Sequence, residues 1–435
     1  MLYYLKSNLE DKSMRTIELS SAQQEVIKKE FIFVNSSINN IAGLFKVNSD
    51  LSLFEINEAL NYIINQYESY KLRLTKVNAE YKQYLVEHQW HDFEYLDFSD
   101  NPTAFNQWVT QQVRKNIFTT HNALFEFTIL KLPDESLGIF NIHHHTISDA
   151  WSAVLAGNTL CEYLLYGKKG CQSSQTFLDT IAEERTYRNS DKFITDQKFW
   201  KNKLTNFNNV SFFKSIPDNS GVGNRYRQTL EATTMKQLTS FCENNQLSIS
   251  SLFTTALSLL KYKKTNATKL AVGILVHNRN QHFEKHIVGS YARILPLILD
   301  TDKDSTILDF ITTVKRETFK LLKHRKYTYN DILRDSGFQQ SILDCTVSFQ
   351  QTQYNRDFVA QGYSDEWFSS HTNNVPFAIN ISSRNNHETL AIDYNYQSEV
   401  LTQYDVAQLH DCIMIILDDI INHSHKKLSE IELLS

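Results

Sequence analysis

Asn141-Ile142-His143-His144-His145-Thr146-Ile147-Ser148-Asp149-Ala150-Trp151 is the stretch on which the reading of this chain turns. Upstream of it, residues 123–142 (ALFEFTILKLPDESLGIFNI) hold two runs rich in Phe, Ile and Leu around the turn formers Pro133-Asp134-Glu135, the pattern of two strands and their turn. Downstream, TISDAWSAVLAGNTLCEYLLYG predicts a long helix, with Ser148 or Asp149 as its N-cap and an end near Gly167. The three histidines therefore fall where a buried strand gives way to a capped helix.

Three chemistries suit such a cluster. Metal binding is opposed by strand geometry, because successive side chains point to opposite faces and His144 cannot join His143 and His145 around one ion without a bend. The nearest carboxylate is Asp149, and no cysteine lies close. Acid–base chemistry is better suited. A rigid strand end presents an imidazole to a cavity, and a neutral ring nitrogen can accept or order a proton from an amine or hydroxyl. Asp149, at a helix start where the dipole favours its anion, reads as an anchor paired with an arginine or with backbone N–H groups. The third reading makes any one of the histidines an ordinary packed residue. The residues alone support a histidine-dependent transfer site and go no further.

Working outward, an opening segment over 16–34 leads through SSAQQEVIKKEFIF, and the spacing of apolar residues predicts a helix over 53–70. VNAEYKQYLVE reads as strand and turn. Residues 168–190 are polar and carry the best linker candidate, KKGCQSSQ, and DKFITDQKFWKNKL is a predicted helix before the loop PDNSGVGN. The second half repeats the style. TTMKQLTSFCENNQ, SISSLFTTALSLLKYKK and STILDFITTVKRETFKLLKH predict helices, whereas TKLAVGILV, the end of HIVGSYARILPLIL, SILDCTVSFQQT, FAINISSR and ETLAIDYNYQ predict strands. VAQLHDCIMIILDDIINH closes the chain as an amphipathic helix. The expected fold class is α+β, in two halves (1–175 and 176–435) whose strands follow one another in meander order.

Composition narrows the function. The 435 residues include only 11 Gly and 5 Pro, with 12% aromatic residues. Without clustered glycines, a dinucleotide-binding or phosphate-loop fold is not expected. Lys and Arg number 44 against 49 Asp and Glu, a net charge of -5, too even a balance to make nucleic acid the main partner. Five widely spaced cysteines fit neither a metal site nor a disulfide framework. Acidic residues, Glu10 and Asp11, stand where a secretory signal would carry its apolar core, and no uncharged run of 18 apolar residues spans a bilayer. A soluble cytoplasmic protein with no membrane partner is expected.

His144-His145-Thr146-Ile147-Ser148-Asp149-Ala150 resembles the HHxxxDG signature of the condensation domains of nonribosomal peptide synthetases, within the chloramphenicol acetyltransferase-like superfamily. Other segments follow in that family's order. Ser20-Ser21-Ala22-Gln23 is similar to SxAQ. Residues 68–74 (ESYKLRL) stand in place of RHExLRT and keep Leu72 and Arg73. Phe199-Trp200 with Leu204 resembles YWxxxL. Asn278-Arg279 and residues 289–297 (GSYARILPL) resemble the loop and the GxFVNTLPLR motif, and 324–331 (HRKYTYND) and 347–350 (VSFQ) resemble two later segments. The resemblance covers about residues 16–425.

The resemblance implies two acetyltransferase-like subdomains in a V-shaped pseudo-dimer with a central tunnel. It implies a donor acyl or aminoacyl group held on the 4'-phosphopantetheine of a carrier protein, no bound cofactor and no metal. By the carry-over His145 is the catalytic histidine, either taking the proton of the attacking amine or stabilising the tetrahedral intermediate. Asp149 would pair with Arg73, and His144 would be structural. Ser20, Gln23, Trp151, Tyr291, Arg293, Ser348 and Gln350 are the candidates for lining or latching the tunnel. Ala150 replaces the family's glycine. Arg293, Ile294 and Ile298 replace its Asn, Thr and Arg, and Glu68, Ser69 and Tyr70 replace its RHE, departures that bear on the acceptor pocket. With no adenylation or carrier segment in the sequence, a monomer that meets an acyl or peptidyl carrier in trans and acylates a small soluble amine is expected, in siderophore or polyamine-conjugate biosynthesis. The alternatives are an ester-forming or coenzyme A-dependent transferase, an epimerase, and a non-catalytic carrier-docking subunit.

Overall fold

A computed structural model describes residues 15–47, 50–167, 176–208, 210–213, 221–350, 353–383 and 389–433. The linker candidate at 168–175 and the first half of the loop at 217–224 lie outside them. In the first half the strands are β1 (Asn40–Val47), β2 (Leu72–Val77), β3 (Glu80–Leu85), β4 (Glu94–Asp97), β5 (Phe125–Lys131) and β6 (Leu137–His144). The second half holds β7 (Gly223–Leu230), β8 (Lys269–Val276), β9 (Arg293–Asp300), β10 (Cys345–Gln350), β11 (Ser364–Phe368), β12 (Phe377–Ser382) and β13 (Leu390–Gln397).

The predicted hairpin forms as β5 and β6, paired antiparallel from Phe125 opposite His143 to Lys131 opposite Leu137. On the other side of β6 lies β1, with Asn40 opposite His144. The histidine strand is thus central in a five-stranded sheet of order β11-β1-β6-β5-β4. Centrality fixes its backbone from both sides, which is what holds the strand end still. Alternation then separates the histidines. His143 points with Phe127 and Ile139 to the layer of helices Leu53–Gln66 and Ala150–Tyr166, while Phe140 and Ile142 face the helix Pro102–Val113.

The meander expectation fails in both sheets. The second sheet runs β7-β13-β12-β10-β8-β9, with β10 parallel to β12 and to β8. In the first sheet β4 runs parallel to β5. Strand β11, more than 200 residues beyond its neighbour β1 in sequence, pairs with it antiparallel. Tyr354, Phe358 and Tyr363 follow it into the core of the first half. The second half therefore lends a strand and part of a core to the first, and no single cut at 175/176 separates the two packed layers.

The helix predicted to reach Tyr70 ends at Gln66 and gives way to a 3-10 turn, Glu68–Lys71, that buries Tyr70. Part of the polar stretch 168–190 is a helix, Phe177–Arg188, with Phe177, Thr180 and Ile181 as its buried face. The four described cysteines are unpaired and buried. Among the described residues, no helix is long and apolar enough to cross a membrane.

Candidate active site at the end of the histidine strand

Asp149 is the N-cap of the helix Ala150–Tyr166, accepting a hydrogen bond from the Ser152 N–H at 2.8 Å. Ala150 is the first helical residue and is not among the residues at positive φ, so alanine there needs no strained backbone. The cap is also the hub of an ion pair. Arg279 donates to Asp149 Oδ2 at 2.7 Å and to Oδ1 at 3.2 Å, and the N–H groups of Tyr291 and Ala292 add two bonds of 3.1 Å to Oδ2. Arg279 spends its remaining donors on Ser152 Oγ and on the carbonyls of Glu284 and Ile287. Its guanidinium lies 4.4 Å from the Tyr291 ring centroid and 5.6 Å from that of Trp151. Burial acts to raise the Asp149 pKa, but the Arg279 pair and the Ser152 N–H outweigh it and hold the carboxyl below its ordinary value.

This corrects the expected partner of Asp149. Arg73 donates instead to the carbonyls of Tyr70 and Leu72, both at 2.9 Å, and lines an outer groove with His88, His91 and Glu126. From β2, its Nη1 ties the end of the 3-10 turn to the start of the strand. Arg279 belongs to the Asn278-Arg279 segment singled out in the sequence, but nothing along the chain says which arginine crosses to the helix cap.

The histidines take three different environments. His144 is buried; its Nδ1 meets the Thr146 hydroxyl at 2.9 Å and accepts from the Thr146 N–H at 3.3 Å, which leaves Nε2 to donate to Glu30 at 3.3 Å. Glu30 also accepts from Asn39, and the Asn39 carbonyl accepts from the His145 N–H at 2.8 Å. His145, just past the strand, is half-buried. Burial, then the nearby Lys29 charge, push its imidazole pKa down, against the opposing pull of Asp149. It is a neutral ring at neutral pH. His143 turns inward between Tyr70 and Phe127.

The remaining candidates fasten this loop more than they open it. Ser20 caps the helix Ser21–Ile32 in a capping box with Gln23. Gln23, a substrate-binding candidate by sequence, is fully buried and donates to Gln83 and to the Thr146 carbonyl, so it holds the histidine loop down. Trp151 donates to the Lys285 carbonyl at 3.0 Å, and Ser348 to Asn380. Tyr291 packs on Phe177, which leaves room only for hydrogen at Gly289, where a Cβ would come within 2.3 Å of the Phe177 ring. Arg293 is buried and pairs with Glu184 at 2.8 Å and with the Lys326 carbonyl at 3.1 Å. Gln350, on β10, donates to the Ala150 carbonyl at 3.2 Å. It latches the second half onto the first turn of the motif helix.

Condensation domains match this chain over residues 13–435. Surfactin synthase subunit 1 of Bacillus subtilis (strain 168) and bacitracin synthase 3 of Bacillus licheniformis are 24% and 21% identical to it, each over 96% of its length. The chain spans only 12% and 7% of those two relatives. The first condensation domain of the calcium-dependent antibiotic synthetase superposes with a TM-score of 0.85 at 16% identity, covering 97% of this chain and 99% of that one. A variant of the starter condensation domain of rhizomide synthetase, in complex with C8-CoA, superposes at 0.84 with 18% identity over 96% of this chain and 98% of its own. The anchored histidine loop, the two interlocked sheets and the match over residues 13–435 lead to one conclusion: the chain belongs to the condensation domain family.

Proposed function

We propose that the chain transfers an acyl or aminoacyl group from the phosphopantetheine thioester of a carrier protein to the amine of a small soluble acceptor, working as a monomer in the cytoplasm with the carrier supplied in trans. The observation that carries this reading is a neutral His145 held at a strand end over the Asp149–Arg279 pair. In the reaction the amine nitrogen attacks the thioester carbonyl, the carbon–sulfur bond breaks, and the proton lost by nitrogen ends on the departing thiolate.

An imidazole with a lowered pKa is a weak base. It suits accepting a hydrogen bond from a neutral amine, and passing its proton to sulfur, better than stripping an ammonium ion. Alignment supplies the rest, since holding amine and thioester together removes much of the entropic cost of a bimolecular step. The test is intact-mass analysis of an acyl-loaded carrier incubated with the protein and a panel of amines. His145→Ala is expected to lower turnover by about 10²–10⁴-fold with the circular dichroism spectrum unchanged. Undiminished transfer in that variant overturns the assignment.

A further inference from the structure

The helix Ser21–Ile32 joins the two halves through different faces. On one face Gln23 donates to the Thr146 carbonyl, the Val26 carbonyl accepts from Asn39 at 3.1 Å, and Glu30 accepts from Asn39 and His144. This face holds the histidine loop, since the Asn39 carbonyl takes the His145 N–H. On another face, at helical spacing, Ser21, Glu25 and Lys28 bond Arg293, the Tyr329 N–H and Asn330 of the second half. Two edges run between these contact faces. Gln24 and Phe31 mark the outer edge and are exposed, whereas on the inner edge Ala22 is buried and Lys29 half-buried. Lys29 therefore projects between the halves beside the histidine loop, where its charge is felt at His145.

Among the described residues, the Lys29 ammonium has no hydrogen-bond or ion-pair partner. The charges around it are committed elsewhere. Glu30 is held by Asn39 and His144, Glu25 accepts from the Tyr329 N–H at 3.1 Å, and Arg293 pairs with Glu184 at 2.8 Å. Burial pushes the Lys29 ammonium below its ordinary value, and Glu25 and Glu30 pull it back. The helix dipole favours a lysine in the last turn, but a fully exposed one would serve it as well. A half-buried ammonium with three unused donors keeps capacity for an anion. Flanked by two carboxylates, it suits a zwitterion better than a simple anion or a simple amine. An α-amino acid carries its amine one carbon from its carboxylate, so a carboxylate on Lys29 brings the amine to the side of His145. The phosphate of a carrier arm is separated from its thioester by the whole pantetheine chain and does not compete for this position.

We propose that the acceptor is a free α-amino acid whose carboxylate Lys29 binds, and that Lys29 thereby selects amino acids over amines without a carboxylate. The proposal rests on the acyl-transfer reading above and names its acceptor. It is tested on the full chain at pH 7, without carrier, by ligand-observed NMR titration with glycine, alanine, leucine and lysine, each beside its carboxamide. In at least one pair the amino acid is expected to bind about tenfold more tightly than the amide. Lys29→Met is expected to bring that ratio to about threefold or less and Lys29→Arg to keep most of it, while Lys28→Met, on a different face, leaves it unchanged. No preference for any of the amino acids over its amide, or a preference that survives Lys29→Met, overturns the proposal. Loaded carriers given the same pairs separate the two readings. Binding of amino acids without transfer supports the Lys29 site and counts against acyl transfer alone, and equal transfer to amino acid and amide counts against the Lys29 site alone.

Discussion

Two buried polar clusters sit on the same strand–loop–helix unit and are built in opposite ways. At Asp149 five donors converge on one carboxylate, and its partner Arg279 has donors spent on three further acceptors. Six residues earlier, His143 and Tyr70 face a cavity with no partner among the described residues. The difference follows from charge. A buried carboxylate without compensation is prohibitive, so the anchor is saturated. A neutral imidazole or phenol left alone costs far less, and a ligand can repay that cost. The saturated cluster holds the loop that carries His145, and the unsaturated one leaves two neutral rings packed edge to face.

The comparison breaks most readily at the anchor. Asp149→Ala leaves the Arg279 guanidinium buried and unpaired, and is expected to lower the unfolding free energy in urea by about 3–5 kcal/mol. Arg279→Ala should cost a similar amount, and the double variant clearly less than the sum of the two. Additive losses would mean that the two side chains stabilise the fold independently.

The cavity is sharpened by pH. His143 binds its proton near pH 4 in the folded chain and near pH 6.5 when unfolded. As pH falls from about 6.5 to 4, the unfolded chain takes up a proton that the folded chain refuses, so stability is full above that window and drains away within it. The drain amounts to at most about 3 kcal/mol. His143→Phe should remove this part of the acid sensitivity and leave the protein about 1 kcal/mol more stable at pH 7, because an unsatisfied buried group is gone. Urea midpoints at pH 7 and pH 5 check both statements, and an unchanged pH dependence would show that His143 does not titrate in this window.

Local rules made the motif region legible. Alternation separated His143 from its neighbour, turn residues placed the β5–β6 connection, and Asp149 with Gly167 bounded the helix that the structure shows as Ala150–Tyr166. Contacts between distant segments were not legible. β11 is five residues of mixed polarity, Ser-Asp-Glu-Trp-Phe, with no alternation strong enough to mark it as a strand that crosses to the first sheet. Parallel pairing of β10 with β8 and β12 needs chain crossovers that the order of strands along the chain does not reveal. The helix Phe177–Arg188 buries only its first turns, so its composition looks like that of a linker. His143 could be assigned to a face, but its lack of partners belongs to three dimensions.

The smallest effect tests the one pairing that the motif order misassigned. Arg73 is half-buried, and Nη1 donates to two nearby carbonyls, that of Tyr70 in the 3-10 turn and that of Leu72 at the start of β2. Removing it costs hydrogen bonds whose carbonyl acceptors can turn to water in the adjoining groove, so Arg73→Ala is expected to lower stability by about 1 kcal/mol or less. Transfer activity should fall far less than in Arg279→Ala, because the loop beneath His145 keeps its ion pair. If Arg73→Ala instead matches Arg279→Ala in both stability and turnover, the crossing of Arg279 to Asp149 is not what holds the histidine loop in place.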